Sequence, residues 1–412
     1  MKFDTICMIG LGYIGLPTAA VFAKYGIEVR GVDINPYTVD TINRGEIHIE
    51  EPGLESLVKE VIDNKMLKAF KKPQEADAFI IAVPTPFRGD DHEPNLDYIE
   101  AAAKSLAGVL KKGDLVILES TSPVGTTEKM AQWLEAERPD LTFPREKGEG
   151  SDIRIAHCPE RILPGQILKE LVGNHRIIGG MTPKCSQMAS DLYKIFVRGT
   201  CTQTTSKIAE MSKLAENAFR DINIAFANEL SVLADKMKVD VWELIEMANK
   251  HPRVNILQPG CGVGGHCIAV DPWFLVYDFP DDTRMIKAAR LVNDDKPLYV
   301  ISRVEEAVQN IEHPKIACLG LAFKPDIDDL RGSPALEITK TLSDNSQFDI
   351  LAVEPNVSEL PGVLDNRKNT TLVSLEKAMD EADLIVMLVR HKEFIHTIPK
   401  NKTNILYFAQ AM

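Results

Sequence analysis

Short apolar runs of strand length recur through the first half of the chain, at residues 5–9, 78–83, 115–118 and 153–156. The segments between them are charged and long enough to form helices. This alternation is typical of a parallel sheet with helices packed on both faces. We therefore predict a doubly wound α/β domain over residues 1–204.

The middle of the chain has a different pattern. Residues 205–249 contain no glycine or proline, and this predicts one continuous helix. At about 1.5 Å per residue such a helix would be nearly 70 Å long, more than one domain can cover. We expect it to join two domains or to pack against a partner subunit, within a central helical region over residues 205–310.

A second α/β unit is predicted over residues 311–412. The pattern Ile-x-x-x-Gly-Leu at residues 6–11 recurs at 316–321, and an Ala-Asp pair follows each copy at a similar interval, at 76–77 and 382–383. Strand–turn–helix units share enough physics to produce such short matches without duplication. The expected fold class is therefore α/β, with two Rossmann-like doubly wound domains joined by a long central helix.

Composition places the chain among soluble globular proteins, since 44% of its 412 residues are hydrophobic and 26% are charged. It has 47 Lys and Arg against 60 Asp and Glu, a formal net charge of −13. No overall basic field exists to hold a polyanion, so nucleic acid is not an expected partner. An anionic small molecule would need a local cluster of cations.

The cysteines favour a reducing compartment. There are seven, an odd number, and no Cys-x-x-Cys pair occurs among them, so neither a disulfide framework nor a zinc ribbon is expected. Residues 5–23 carry no charge and superficially resemble a signal peptide, but three glycines and Pro17 interrupt them. We expect a cytoplasmic protein that has no membrane partner.

A glycine motif follows the first predicted strand. Gly10, Gly12 and Gly15 form Gly-x-Gly-x-x-Gly between a strand and a helix, and Asp33 lies 18 residues after Gly15, at the end of the next strand. In a dinucleotide site the glycines permit the turn and the approach of a pyrophosphate, while the acid bonds the adenosine ribose and repels a 2′-phosphate. The motif predicts NAD rather than NADP. The alternative is a tight turn without a ligand.

Hydroxyl-rich segments follow two later strands, at residues 83–86 and 120–126. Open α/β sheets bind ligands at this carboxyl edge. Helix N-caps would explain the same hydroxyls equally well.

A second glycine-rich run, residues 259–265, leads to Cys267. A cysteine nucleophile adds to an aldehyde, and oxidation and hydrolysis of the adduct give an acid, so one thiol permits four-electron oxidation of an alcohol. The glycines would let the backbone approach a sugar ring, and Asp271 lies near enough to handle protons. The alternatives are an inert cysteine, or a metal site made by Cys261, His266 and Cys267. No metal is expected, because these residues do not supply the four ligands that a zinc site needs.

Lys213, Asn217 and Arg220 share one face of the predicted long helix, which alone is also typical of a solvated polar face. Asn217, Asn223 and Asn228 recur in an otherwise apolar segment, so some of these amides are expected to bond a ligand or a buried partner. Further cations could supply the positive cluster that a diphosphate needs. They are Arg161, His251, Arg253, Lys324 and Arg331.

Together these motifs resemble the UDP-glucose/GDP-mannose dehydrogenase family over almost the whole chain. The matching residues are Gly10-x-Gly12-x-x-Gly15, 120–126, Cys158-Pro159-Glu160-Arg161, Lys213-x-x-x-Asn217, Gly264-Gly265-His266-Cys267 and 320–324. Within the family, residues 251–259 and 268–274 resemble most closely the members that act on UDP-N-acetyl-D-mannosamine. Val270 stands where the glucose-specific members usually have Lys.

The resemblance implies a role for each matching residue. Cys267 would be the nucleophile, with Lys213 stabilising the developing oxyanion. The residues implied at NAD are Tyr13, Ile14, Asp33, Thr85, Thr126 and Arg331, beside the three glycines. Those implied at the UDP-sugar are Glu160, Arg161, Lys213, Asn217, Arg220, His251, Arg253, Gly264, Phe323 and Lys324. The long helix would form a homodimer core, with the Arg253 region reaching the neighbour's site.

The resemblance also has one departure. Residues 405–412 lack the Asp and following Lys or Arg that relatives usually show, so no ligand contact is expected there. The main interpretation is NAD-dependent oxidation of UDP-N-acetylmannosamine at C6 to the uronate, for surface polysaccharide precursors. The alternatives are the same reaction on UDP-N-acetylglucosamine, a two-electron hydroxyacid dehydrogenase, or a non-catalytic nucleotide-sugar sensor.

Overall fold

The structure is a computed structural model that describes residues 3–89, 91–163, 165–398 and 403–409, apart from the side chain of His396. Its contacts divide the chain into two compact units, Met1–Ala215 and Glu216–Met412. The three-domain division stated above stays a prediction. The last residues of the atypical C-terminal segment, 410–412, lie outside the described residues.

The first unit is built on an eight-stranded sheet with the order β10-β9-β8-β7-β4-β1-β2-β3, accompanied by a small β5-β6 hairpin. Within the eight-stranded sheet the pairs are parallel except β8 with β9, and the β5-β6 pair is antiparallel as well. The strands are β1 Thr5–Ile9, β2 Glu28–Val32, β3 Leu67–Phe70, β4 Ala78–Ile81, β5 Phe87–Arg88, β6 Glu93–Pro94, β7 Leu115–Leu118, β8 Arg154–His157, β9 Arg176–Gly180 and β10 Cys201–Thr205.

Helices cover both faces of this sheet, and two separate apolar clusters lie beneath them. The helices are α1 Gly15–Lys24, α2 Pro36–Asn43, α3 Leu54–Asp63, α4 Asp97–Ala107, α5 Thr126–Glu137, α6 Pro144–Lys147, α7 Ile167–Gly173, α8 Pro183–Tyr193 and α9 Ser206–Met237, with a 3-10 turn at Gly148–Gly150. The boundary between the units falls within α9. The central strands are buried on both faces, which is why their sequences are continuous apolar runs.

The second unit contains a five-stranded parallel sheet with the order β13-β12-β11-β14-β15. Its strands are β11 Lys315–Leu319, β12 Asp349–Val353, β13 Thr370–Leu372, β14 Leu384–Met387 and β15 Ile405–Tyr407. Its further helices are α10 Val241–Asn249, α11 Asp271–Asp278, α12 Arg284–Val308, α13 Pro334–Ser343, α14 Gly362–Asp365, α15 Leu375–Glu381 and α16 Lys392–Thr397. The predicted fold class, with two Rossmann-like sheets, is confirmed.

The prediction of one continuous helix over residues 205–249 is wrong in its extent. Thr205 belongs to β10, α9 ends at Met237, and Lys238 has a left-handed φ of 56°. Asp240 then caps α10 by accepting hydrogen bonds from the N–H groups of Trp242 and Glu243. At about 1.5 Å per residue, α9 alone is about 48 Å long rather than nearly 70 Å.

The sequence echo between the two units corresponds to the same local geometry. Gly10 and Gly320 both have positive φ, 92° and 87°. Asp77 accepts from the backbone N–H of Thr5 at 2.9 Å, as Asp383 does from Lys315 at 2.8 Å. Each aspartate therefore fixes the start of its strand beside the first strand of its sheet. In the part of the chain that the structure describes, no helix is long and apolar enough to span a membrane.

Candidate active site

The glycine motif occupies the turn between β1 and α1. A Cβ on Gly10 would lie 2.3 Å from the Ala82 carbonyl oxygen, and one on Gly15 would lie 1.8 Å from the Gly10 carbonyl oxygen. Protein atoms therefore exclude side chains at both positions. A Cβ on Gly12 would meet nothing within 4 Å, so the chain leaves open space beside an exposed backbone. This is the cradle that a dinucleotide pyrophosphate requires.

Tyr13 and Ile14 complete this turn and are half-buried. Asp33 follows β2 and accepts from Leu11 N–H at 3.1 Å and from Asn35 N–H at 2.9 Å. The carboxylate thus fixes the glycine turn through the Leu11 N–H group. Each of its oxygens has further lone pairs, with which it can accept hydrogen bonds from a ribose.

The hydroxyl segments at the carboxyl edge are held by internal bonds. Thr85 donates its hydroxyl to the Thr121 carbonyl, and Thr126 donates to the Pro123 carbonyl at 2.7 Å. Thr126 is therefore not an N-cap. Helix α5 is capped from outside by Glu210 of α9.

Glu210 was missed by the sequence reasoning. Its buried carboxylate accepts from Gly125 N–H at 2.7 Å, Thr127 N–H at 2.8 Å and the Thr127 hydroxyl at 2.6 Å. The available signal was an acid among the buried positions of an amphipathic helix. Lys213 follows one turn later, is half-buried, and makes no ion pair or hydrogen bond through its side chain among the described residues.

Glu160 and Arg161 lie just after β8. The Glu160 carboxylate accepts from Arg161 N–H at 2.6 Å and from the Arg176 guanidinium at 2.6 Å. Arg176 also contacts Glu119 at 3.3 Å, and the Tyr193 hydroxyl donates to Glu119 at 3.0 Å. No sequence pattern singles out Arg176, Glu119 or Tyr193, because each lies in or beside an apolar run typical of core.

In the second unit, Cys267 is exposed and Asp271 is 3% exposed. The amide of Asn217 donates to the Asp271 carboxylate at 2.5 Å, and the backbone N–H of Asp271 donates to the Cys267 carbonyl at 2.8 Å. The structure therefore brings together three residues that the sequence suggested for chemistry. Asp271 also begins α11, so the carboxylate and the cysteine turn are fixed by one helix start.

The other cysteine of the loop is in a different environment. Cys261 is buried, and burial raises the pKa of its thiol to about 12. A thiol is nucleophilic only as the thiolate, so this group is inert at neutral pH. In the described part of the chain, the one group of three possible metal ligands within reach of one another is Asp326, His391 and Glu393, outside this loop.

The loop glycines pack against protein. The expected reason for them was different, namely close approach of the backbone to a sugar ring. A Cβ on Gly264 would lie 2.5 Å from the Gly332 carbonyl oxygen, and Gly265 has a φ of 84° close to the Phe323 ring. The loop therefore lies directly against residues 323–334. Lys324 is half-buried in that segment, and Arg331 is exposed and pairs with Asp329 at 2.8 Å.

Two further residues hold the ends of the cysteine loop. Asn228 accepts from Gly260 N–H at 2.8 Å, and the fully buried Arg290 reaches the Ile268 carbonyl at 3.5 Å. Arg290 also pairs with Asp221 of α9 at 2.5 Å. The expectation of a buried partner is confirmed for Asn228, whereas Asn223 donates to the Phe219 carbonyl of its own helix. The predicted substrate residues Arg220, His251 and Arg253 are exposed.

Profiles of three domains of the UDP-glucose/GDP-mannose dehydrogenase family match the chain. The NAD binding domain matches residues 4–197, the central domain 207–295 and the UDP binding domain 317–407. A UDP-N-acetyl-D-mannosamine dehydrogenase of Campylobacter jejuni is 65% identical over 96% of this chain and 97% of the relative.

Two other relatives extend this picture. An NDP-N-acetyl-D-galactosaminuronic acid dehydrogenase of Ralstonia nicotianae is 59% identical over 96% of this chain and 92% of the relative. The solved structure of a UDP-D-ManNAc dehydrogenase from Pyrococcus horikoshii has 39% identity and a TM-score of 0.86, covering 98% of each chain.

Proposed function

Because the chain belongs to the UDP-glucose/GDP-mannose dehydrogenase family, we propose that it oxidises UDP-N-acetyl-D-mannosamine at C6 to the uronate. The reaction consumes two NAD and one water per sugar and supplies precursors of surface polysaccharides. The observation that carries this proposal is the exposed Cys267 beside a buried Asp271 that is held by Asn217. A two-electron dehydrogenase needs no such thiol.

The chemistry proceeds in two oxidations. When bound, NAD would supply the hydride acceptor for both of them. The alcohol loses its proton and first becomes an aldehyde, to which the Cys267 thiolate adds. Oxidation of this thiohemiacetal gives a thioester, and water releases the carboxylate and restores the thiol. Covalent capture by Cys267 keeps the aldehyde from leaving between the two steps.

We assign Asp271 to proton handling and Lys213 to stabilisation of the oxyanion. The Asn217 amide donates to the Asp271 carboxylate at 2.5 Å and so orients it. A carboxylate oriented in this way suits proton transfer to and from the attacking water. Lys213 is a cation without a competing acid among the described residues, which suits it to an oxygen that gains negative charge.

For NAD we assign Gly10, Gly12, Gly15, Tyr13, Ile14 and Asp33, together with Thr85, Thr126 and Arg331. The open backbone at Gly12 and the Asp33 carboxylate support this assignment. For the UDP-sugar we assign Glu160, Arg161, Asn217, Arg220, His251, Arg253, Gly264, Phe323 and Lys324.

The second candidate substrate, UDP-N-acetylglucosamine, differs from the proposed one only in sugar stereochemistry. The Ralstonia relative, whose name gives N-acetyl-D-galactosaminuronic acid, is nearly as similar as the mannosamine enzymes, and UDP-N-acetylglucosamine differs from the proposed substrate at C2 alone. One inverted hydroxyl or acetamido group changes few hydrogen bonds in a pocket. Val270, in place of the Lys usual in glucose-specific members, supports an N-acetylhexosamine.

We further propose a cytoplasmic homodimer with shared active sites. Phe219, Phe226 and Leu233 recur every seven residues on α9 and are 70%, 52% and 46% exposed. An apolar stripe of this kind is stabilised by burial against a second copy. Among the described residues, which include all seven cysteines, none forms a disulfide, which supports a reducing compartment.

The experiment is a panel of UDP-sugars, with NADH counted per sugar consumed. We expect UDP-N-acetylmannosamine to give the highest kcat/KM, with two NADH per sugar and no free aldehyde. UDP-N-acetylglucosamine, UDP-N-acetylgalactosamine and UDP-glucose are the controls. A yield of one NADH with a carbonyl product would overturn the four-electron mechanism.

A further inference from the structure

A buried cluster of charges lies at the carboxyl edge of the first sheet. Arg176 is 5% exposed and lies between Glu119, 2% exposed, and Glu160, 9% exposed. Its guanidinium is 2.6 Å from Glu160 and 3.3 Å from Glu119, and it stacks on the Tyr193 ring at 4.5 Å. Only Glu160 of these residues belongs to a motif that the sequence analysis placed at the substrate.

The strand topology explains how the arginine reaches this edge. Strand β9 is antiparallel to β8, with Ala156 opposite Gly180 and His157 opposite Gly179. Continuing that register brings Arg176, the first residue of β9, opposite Glu160. A parallel β9 would begin at the other edge of the sheet. The antiparallel pairing of β9 with β8 therefore brings a cation to the edge at which such sheets bind ligands.

Stability alone does not explain three charges in this position. Buried ion pairs are often no better than well-packed hydrophobic residues of the same volume, because desolvation offsets the attraction. One oxygen of Glu119, Oε2, also has no hydrogen-bond partner among the described residues. A cluster that leaves a polar atom unsatisfied is better explained by a functional requirement.

The two acids have different surroundings. Both oxygens of Glu160 receive a donor, from Arg161 N–H and from Arg176. Glu119 faces Glu160, Arg176, Tyr193 and Cys158, and burial together with the Glu160 charge raises the pKa of Glu119 to about 7. Burial therefore favours the neutral form of Glu119, whereas the two donors that Glu160 receives stabilise its carboxylate form.

We propose that Arg176 is a positioning residue that holds Glu160 as an oriented carboxylate for the UDP-sugar, with Glu119 and Tyr193 fixing the guanidinium from behind. The inference rests on the proposed function, which places Glu160 at that substrate. Arg176 acts only through Glu160. Its planar fork contacts both acids and stacks on Tyr193, a geometry that lysine does not reproduce.

The experiment is a double-mutant cycle in kcat with R176M, E160Q and the double variant, using NAD and the UDP-sugar that the unmodified protein oxidises. We expect R176M to lower kcat about 100-fold, the cost of a misplaced catalytic group, with the Kd for NAD unchanged. In the E160Q background the same change should lower kcat less than about threefold, since coupled residues are not additive.

Two further variants separate positioning from folding. R154M is the matched control, because Arg154 is an equally buried arginine at the opposite end of β8 that bonds Ser151; its kcat should stay near the unmodified value. R176K should retain part of the activity, and the R176K/E160Q cycle replaces the first one if R176M fails to unfold cooperatively on heating.

The outcomes are distinguishable. The positioning role would be overturned if the fold losses in kcat of R176M and E160Q multiplied in the double variant. It would also be overturned if R176M and R154M had equal kcat, and in both cases the proposed function would stand. No NADH from the unmodified protein with any UDP-sugar would overturn both.

Discussion

At the scale of single residues, the two cysteines of the glycine-rich loop differ by environment rather than by sequence. Cys267 is exposed, whereas Cys261 is buried with a thiol pKa raised to about 12. We expect Cys267→Ser to abolish NADH formation while NAD still binds, because a serine hydroxyl is a far weaker nucleophile. Cys261→Ser is the matched control and should retain turnover. Loss of turnover in Cys261→Ser alone would show that the wrong thiol was chosen.

A second residue-scale prediction concerns cofactor choice. Asp33 directly follows strand β2, and at the adenosine ribose its carboxylate would disfavour a 2′-phosphate by charge. NAD should therefore be used much better than NADP. Asp33→Ala should narrow the preference for NAD over NADP, chiefly because NAD loses affinity. The measurement is kcat/KM for each cofactor. Equal use of both by the unmodified protein would contradict a place for Asp33 at the ribose.

At the scale of elements, Glu210 links α9 to the start of α5. Its carboxylate satisfies two backbone N–H groups and one hydroxyl. We expect Glu210→Ala to lower the free energy of unfolding by about 1–3 kcal/mol, since a buried cap is lost. Turnover should fall as well, because Lys213 lies one turn further along α9.

Urea unfolding and kcat measure these two effects. Glu229→Ala provides the control, since Glu229 is exposed on the same helix. Equal unfolding free energies for the two variants would contradict a capping role for Glu210.

The break in α9 shows how an element boundary escaped the sequence pattern. Absence of Gly and Pro predicted a single helix, but Lys238 adopts a left-handed backbone and Asp240 caps the next helix. Asp240 and Glu243 have the spacing of a capping box, so a local signal existed. Continuous helix propensity outweighed it in the prediction.

At the scale of the whole molecule, the shared active site is testable by complementation. Arg253 lies just beyond α10 and is exposed. If it serves the neighbour's site, mixing inactive Arg253→Ala with inactive Cys267→Ser should restore activity. A mixed dimer then has one site with both lesions and one with neither, giving at most about half of normal activity.

The mixture is made by co-expression with two different tags, and mixed dimers are purified through both. Each variant taken through the same procedure alone is the control. Mixed dimers that stay inactive would place Arg253 in the site of its own chain, or outside the site.

The sequence by itself determined the two Rossmann-like units and the glycine turn, and it predicted Asp33 at the ribose and Cys267 as the nucleophile, because these depend on local backbone geometry and on residue chemistry. Tertiary structure alone decided the contacts made by residues far apart in sequence. Arg176 meets Glu160 because β9 runs antiparallel to β8, Glu210 caps α5 from 83 residues away, and Arg290 supports the cysteine loop from α12. No local pattern encodes such pairs, since a buried charge is identified only by the partner that the fold brings to it.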